Sequence, residues 1–243
     1  MLFKEKTPLT VPRNLKRALL LHRIRAGIAG QEPIVIKASI DEVQQALGVS
    51  LPHELLAVFA ATGRDPYEMI LLTEEARELD DLSPGLVAVS VEPPRSDASQ
   101  LPVYWCFNAD SGTQRSRETV RWALDPEDRR YRLSMLDLVR ACYLDGGPTE
   151  EEMMAIRGLS VRFRPAIVTQ PRIPFRRIVH DQFGPGFVLR EFNDGNHKVE
   201  AEFPRVGKKL LLASYVCDAR EVGSHSPART TRAKPATARR RLR

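Results

Sequence analysis

Between Ile178 and Val216 the chain reads IVHDQFGPGFVLREFNDGNHKVEAEFPRVGKKLLLASYV, with several strand-like runs and two sharp turns in fewer than forty residues. In Lys198-Val199-Glu200-Ala201-Glu202-Phe203 the apolar residues share one face and the charges the other. That period of two marks a half-buried antiparallel strand. Asn193-Asp194-Gly195-Asn196 supplies residues that tolerate positive φ, as a tight hairpin needs. Phe183-Gly184-Pro185-Gly186 reads as a second turn leading into a strand over Phe187–Phe192, and Lys208–Ala213 closes the set. Short strands joined this way fold as a small all-β barrel, placed over 173–221.

Upstream the period changes. After Pro12, Leu15, Ala18, Leu21, Ile24 and Ile28 recur at helical spacing, with Lys16, Arg17, Arg23 and Arg25 between them, which gives a basic N-terminal helical arm over 1–32. Such a helix packs against the domain that follows it, or lies on a membrane or nucleic acid. Ser39 to Glu42 has the spacing of a capping box, with Ile40, Val43 and Leu47 as the buried stripe and Gly48 as the stop. A second helix starts at Leu51-Pro52 and ends at Gly63. Strands are expected over Met69–Leu72, Leu86–Val91, Val103–Phe107 and Thr119–Leu124. Ser134 to Asp137 opens a closing helix that Asp145-Gly146-Gly147-Pro148 breaks. Helices, an antiparallel set of strands and a helix make 33–147 an α+β domain. Thr149 to Glu152 caps a short helix, and the proline- and arginine-rich run Arg162–Pro174 reads as a linker, so that 148–172 joins the two folded units.

Two resemblances follow from these residues. Val179, His180, Phe183, Gly184 and Gly186, with Gly207, Lys208, Lys209, Leu210–Ala213 and Tyr215, resemble the Tudor-like (SH3-like) barrel that ends the UvrD/PcrA-type DNA helicases. In that family the barrel docks on RNA polymerase and has some capacity for nucleic acid. The helicase motor has no counterpart here, because the phosphate-loop pattern is missing. Ile40-Asp41-Glu42-Val43, Leu47-Gly48, Leu51-Pro52, Glu54-Leu55-Leu56, Phe59 and Gly63, with Val103-Tyr104-Trp105 and Met135–Leu144, resemble the SUKH superfamily of Smi/Knr-like domains. Where its members often carry Asn-Gly-Gly, this chain has Thr62-Gly63-Arg64. The resemblance implies a non-catalytic scaffold, either an immunity protein that neutralises a toxin or a regulatory adaptor, and brings no catalytic residues with it.

Charge divides the chain into three. The formal net charge of +6 arises because residues 1–33 hold seven basic residues against two acidic ones and residues 223–243 hold seven against none. The stretch between them is net acidic. The tail over 222–243, rich in Pro, Ala, Thr and Arg, has almost nothing to bury and is expected to be disordered. Its Arg239, Arg240, Arg241 and Arg243 are candidates for holding nucleic acid through counterion release, the alternative being a solubilising tail. No run reaches the length of a membrane span, and no signal-peptide pattern follows Met1, so a cytoplasmic protein without a membrane partner is expected. Cys106, Cys142 and Cys217 lie in apolar segments, as buried free thiols do.

The scattered histidines and the absence of a Cys-x-x-Cys pair argue against a zinc site, and no metal or cofactor is expected. Gly184-Pro185-Gly186 lacks the following helix of a phosphate loop, and His180 reads as a locally bonded strand residue. Phe183, Phe187, Phe192, Phe203 and Tyr215 are needed for the core of so small a barrel, ahead of any cage for a methylated cation. The carboxylates Glu74, Glu75, Glu127 and Asp128 are candidates for a negative face that a basic toxin-like partner would meet. Arg205, Lys208 and Lys209 are candidates for a partner-facing patch on the barrel. The expected function is a non-enzymatic binding protein, an immunity or adaptor module with a docking barrel. The alternative is a transcription- or DNA-associated factor that reaches RNA polymerase or nucleic acid through the barrel and the basic ends.

Overall fold

The computed structural model describes residues 5–93, 101–109, 118–169, 175–192 and 197–218. It is an α+β protein with helices α1 (Arg13–Arg25), α2 (Lys37–Leu47), α3 (His53–Thr62), α4 (Glu68–Leu79), α5 (Met135–Tyr143) and α6 (Glu150–Leu159). A small mixed sheet has β7 (Ala166–Val168) at its centre, antiparallel to β1 (Lys6–Pro8) and parallel to β2 (Ile34–Ile36). An antiparallel sheet follows the chain order β3 (Leu86–Val91), β4 (Tyr104–Asn108), β5 (Thr119–Trp122) and β6 (Arg130–Leu133). The third sheet runs β11 (Gly207–Leu212), β10 (Lys198–Phe203), β9 (Gly184–Phe192), β8 (Arg177–His180) and β12 (Cys217–Asp218), all antiparallel, with a 3₁₀ turn at Ala213–Tyr215 before the last strand.

Both faces of β3 and β4 are covered. Val87, Val89, Trp105 and Phe107 join the main core with Leu19 and Leu20 of α1, Leu55 and Phe59 of α3, and Leu138 and Val139 of α5. Leu86, Ala88, Tyr104 and Cys106 face the other way, onto Leu72 and Ala76 of α4. A strand buried on both sides reads as a continuous apolar run, as Leu86–Val91 does.

The same double burial explains why Met69–Leu72 is not the strand its composition suggests. Met69, Ile70 and Leu71 belong to the main core while Leu72 belongs to the core on the far side of the sheet, so these four residues are apolar on every side of the helix. A short run of that kind carries no period to separate helix from strand. Its continuation, Thr-Glu-Glu-Ala-Arg-Glu-Leu, consists mostly of good helix formers.

Two further expectations are corrected, and an open one is decided. Ser39 does not cap a helix, because α2 begins at Lys37 and Ser39 is buried within it. The Glu42 carboxylate faces another way, accepting a 2.5 Å hydrogen bond from the Tyr67 hydroxyl and a 3.2 Å one from the Phe175 amide. The run expected to be a linker contains β7, the central strand of a sheet, and the buried Phe163. Residues 170–174 of that run lie outside the described residues. Of the placements open to the N-terminal helix, packing against the domain that follows is the one found, since Leu15, Ala18, Leu19, Leu20 and Leu21 are in the core and even Arg23 is only 2% exposed. Its guanidinium donates to the carbonyls of Ala61, Ile28 and Gln31.

Local signals fare better. Ser134 and Thr149 form complete capping boxes with Asp137 and Glu152, and Gly48 and Gly63 end their helices in the left-handed conformation. In the third sheet Ile178, Val188, Ala201 and Phe203 form the interior. The expected turn at Phe183–Gly186 falls two to three residues earlier, over 181–183, and Gly186 is a strand residue. A Cβ there would lie 2.5 Å from the Phe203 ring and 2.7 Å from the Glu202 carbonyl, so only glycine lets β9 and β10 close over the ring. The hairpin turn expected at 193–196 lies outside the described residues.

Candidate functional site

The third sheet is docked on the rest of the molecule along a seam that begins with aromatic packing. The ring of Tyr67, at the start of α4, lies 4.5 Å from that of Phe175 and 5.4 Å from that of Phe187 on β9. Phe187 is fully buried in the main core, not in the interior of its own sheet, and Leu189 packs beside it. Strand alternation sends Val188 inward and its two neighbours onto the body.

Around this apolar centre lie most of the charged residues expected to face a partner. Glu74 pairs with Arg177 of β8, and Glu75 pairs with Arg205 in the β10–β11 turn. The Lys208 ammonium donates to the Gly63 carbonyl at 3.4 Å, and Lys209 sits 5.8 Å from the centre of the Phe183 ring. The acidic helix face and the basic barrel patch are thus turned toward each other. Glu127 and Asp128 stand apart, exposed in a 3₁₀ turn, where the Asp128 carbonyl accepts a 3.0 Å bond from Arg121. Arg239, Arg240, Arg241 and Arg243 lie outside the described residues.

Arg64, directly after the helix stop at Gly63, is the polar hub of the seam. It pairs with Glu68, which is 1% exposed, and donates to Ser90 Oγ at 3.1 Å, to the Tyr143 hydroxyl at 2.8 Å and to the Pro204 carbonyl at 3.4 Å. Nearby, Arg121 grips both oxygens of Glu92 at 2.6 and 3.1 Å, and the Trp105 indole donates to the same carboxylate at 3.0 Å. The hydrogen bond from Arg121 to Glu92 holds the guanidinium charged, against a smaller effect of burial. These residues border a groove of about 630 Å³ whose other walls include Asp125, Asp128 and Arg205. The motif reading did not single out Arg64, Glu92 or Arg121. Arg64 and Glu68 are four apart with opposite charge and so visible in principle, whereas nothing in the sequence links Glu92 to Arg121.

Chemically, these are charges held by other charges. Burial pushes the Cys142 thiol up to about 12, and pushes Cys106 higher still, so neither is a thiolate near neutrality. Among the described residues no group of three His, Cys, Asp or Glu side chains converges, and no helix is long and apolar enough to cross a membrane. His180 stacks on Phe183 at 4.5 Å, and its Nδ1 accepts from the Gln182 amide at 3.1 Å. Phe183 in turn packs 5.4 Å from Phe203, so these rings fill the barrel and do not form an open cage.

What the third sheet leaves exposed is the far end of the face that carries Phe187 and Lys208. Lys198 stands opposite both Phe192 and Leu212, and Glu200 opposite both Arg190 and Leu210. The register shifts between Glu200 and Ala201, and Arg190 lies over the Phe192 ring two residues along the same strand, 4.9 Å from its centre. Leu210 is 60% exposed and Leu212 41%, on β11, which is the edge strand. Val206 and Tyr215, before and after them in the chain, are also exposed.

Comparison with known proteins adds no relative: no family model, curated protein or solved structure matches the chain.

Proposed function

We propose that this chain is a non-catalytic adaptor, a SUKH-like α+β body carrying a Tudor-like barrel whose exposed β11 edge docks an extended segment of a protein partner. The barrel reading is supported by a meander of four strands followed by a 3₁₀ turn and a short fifth strand that returns to pair with the first. The body reading is supported by two helices that each stop at a left-handed glycine, a four-stranded antiparallel sheet and a capped closing helix.

The observation that carries the docking role is the exposed pair Leu210 and Leu212 on an edge strand, with Glu200 and Lys198 as their neighbours on β10. Exposed apolar residues on a sheet edge are a pairing hazard unless a partner uses them. An extended chain added to β11 would gain main-chain hydrogen bonds along the edge and seat apolar side chains against the two leucines. The carboxylates expected to meet a toxin are in part closed by Arg177 and Arg205, which favours the adaptor over the immunity form of this reading.

The test is capture of partners from the native organism with the full chain and with Leu210→Glu/Leu212→Glu. One protein retained near equal stoichiometry by the wild type and lost by the variant supports the reading. RNA polymerase subunits as that protein would identify the transcription branch. Equal recovery by both proteins would refute the barrel as the dock.

A further inference from the structure

A second groove, of about 610 Å³, lies on the side of the body formed by α1, α5 and α6. Each helix contributes one stripe at helical spacing: Asn14, Arg17, Ala18 and Leu21 from α1, Leu136, Arg140 and Leu144 from α5 and its end, and Met153 and Ile156 from α6. The floor is apolar. Its residues are either in the main core, as Ala18, Leu21 and Ile156 are, or packed against it, as Leu136, Leu144 and Met153 are. The size is within the range of roughly 300–1,000 Å³ found for built binding sites.

The rim is basic. Arg17 and Arg140 are exposed at its edge, and no carboxylate lines the groove. Arg17 has no hydrogen-bond or ion-pair partner among the described residues. Arg140 feels Asp137, but that carboxylate is held by the amide and hydroxyl of Ser134 in the capping box of α5. The other acids close by are also engaged or turned away. Glu152 is bound by Arg25, which also takes the carbonyls of Asp145 and Gly147, while Glu150 and Glu151 lie in the exposed first turn of α6 outside the lining. Helix α1 itself contains no acidic residue.

We propose that this groove is the acceptor for an acidic amphipathic helix of a partner protein. The stripe from Asn14 to Leu21 is about 10 Å long at the helical rise, which accommodates about two turns of a guest helix. Apolar anchors at i, i+3/i+4 and i+7 of the guest enter between Leu21, Leu136, Leu144 and Met153, and carboxylates on its flanks meet Arg17 and Arg140. The groove shares no residue with the barrel and stands whether or not the β11 edge is a dock.

The test uses the full chain and three fluorescein-labelled synthetic peptides of the same length. The first is an amphipathic helix with leucines at the anchor positions and flanking glutamates, the second replaces every Glu by Lys, and the third replaces the leucines by serine. The expected result is saturable binding of the first, with the other two weaker by at least about tenfold. Arg17→Glu/Arg140→Glu, both at exposed positions, should lose the first peptide and gain the second, with far-UV circular dichroism unchanged. Binding of neither charged peptide, equal binding of both, or no response to the double substitution would overturn the proposal. So would decanoate binding that the peptides do not displace, which would make the groove a site for small amphiphiles.

Discussion

Phe187 and Val188 are adjacent on β9, yet they lie in different hydrophobic cores: the first packs with Tyr67 in the body and the second with Ile178, Ala201 and Phe203 inside the barrel. The barrel is therefore joined to the body by an anchor from its own wall. Phe187→Ala should destabilise the protein by about 3–5 kcal/mol, as large-to-small changes at fully buried rings do. Urea denaturation followed by both circular dichroism and tryptophan fluorescence would report it.

The ion pairs around that anchor should matter far less. Arg205 is 53% exposed and Glu75 29%, and solvent screens such a pair. A double-mutant cycle on Arg205→Ala and Glu75→Ala is expected to give a coupling of about 0.2–1 kcal/mol that shrinks as salt is raised. A coupling several times larger and insensitive to salt would mean that electrostatics, not the Phe187 contact, holds the seam.

Arg64 and Glu68 are the opposite case, because Glu68 is only 1% exposed. Glu68→Ala leaves the guanidinium without its main counter-charge and should cost about 3–5 kcal/mol in chemical denaturation. Arg64→Met/Glu68→Leu should cost clearly less than the sum of its two single substitutions, since no buried charge is then stranded.

Gly186→Ala adds a methyl group where the Phe203 ring and the Glu202 carbonyl already stand. A loss of about 1–3 kcal/mol is expected, and because part of the obstacle is backbone, Phe203→Leu should restore only a fraction of it.

His22 gives the protein an acid-side dependence. Burial lowers its pKa below the ordinary 6.5, with the nearby Arg23 adding to the effect and the contact to the Tyr143 carbonyl opposing it. The folded state therefore binds fewer protons than the unfolded chain. This contribution is fully present above pH 6.5 and is lost as pH falls through that value toward the folded pKa. His22→Gln should flatten the stability profile between about pH 7 and pH 5, measured by urea midpoint at each pH.

The parts of the fold that the sequence made legible are those decided within a few residues. Ser134 and Asp137 meet across one turn, as do Thr149 and Glu152, and the alternation of Lys198–Phe203 is a property of one strand. Where a segment's environment came from distant neighbours, its pattern misled. The start of α4 lost its period because a sheet covers one side and other helices the rest. The strand β7 is only three residues long and exists because β1 and β2 flank it. The site followed the same division. Residue types near Glu74, Glu75, Arg205 and Lys208 suggested charge–charge contacts, but only the folded chain shows Glu74 and Glu75 meeting Arg177 and Arg205 of the same molecule.

Stoichiometric capture bears most directly on the proposed dock at Leu210 and Leu212. The full chain as wild type and as Leu210→Glu/Leu212→Glu would be used on lysate of the native organism, with folding verified by thermal melts. The expected result is one protein held near one-to-one by the wild type and absent from the Leu210/Leu212 variant. Undiminished recovery of that protein by Leu210→Glu/Leu212→Glu would contradict it.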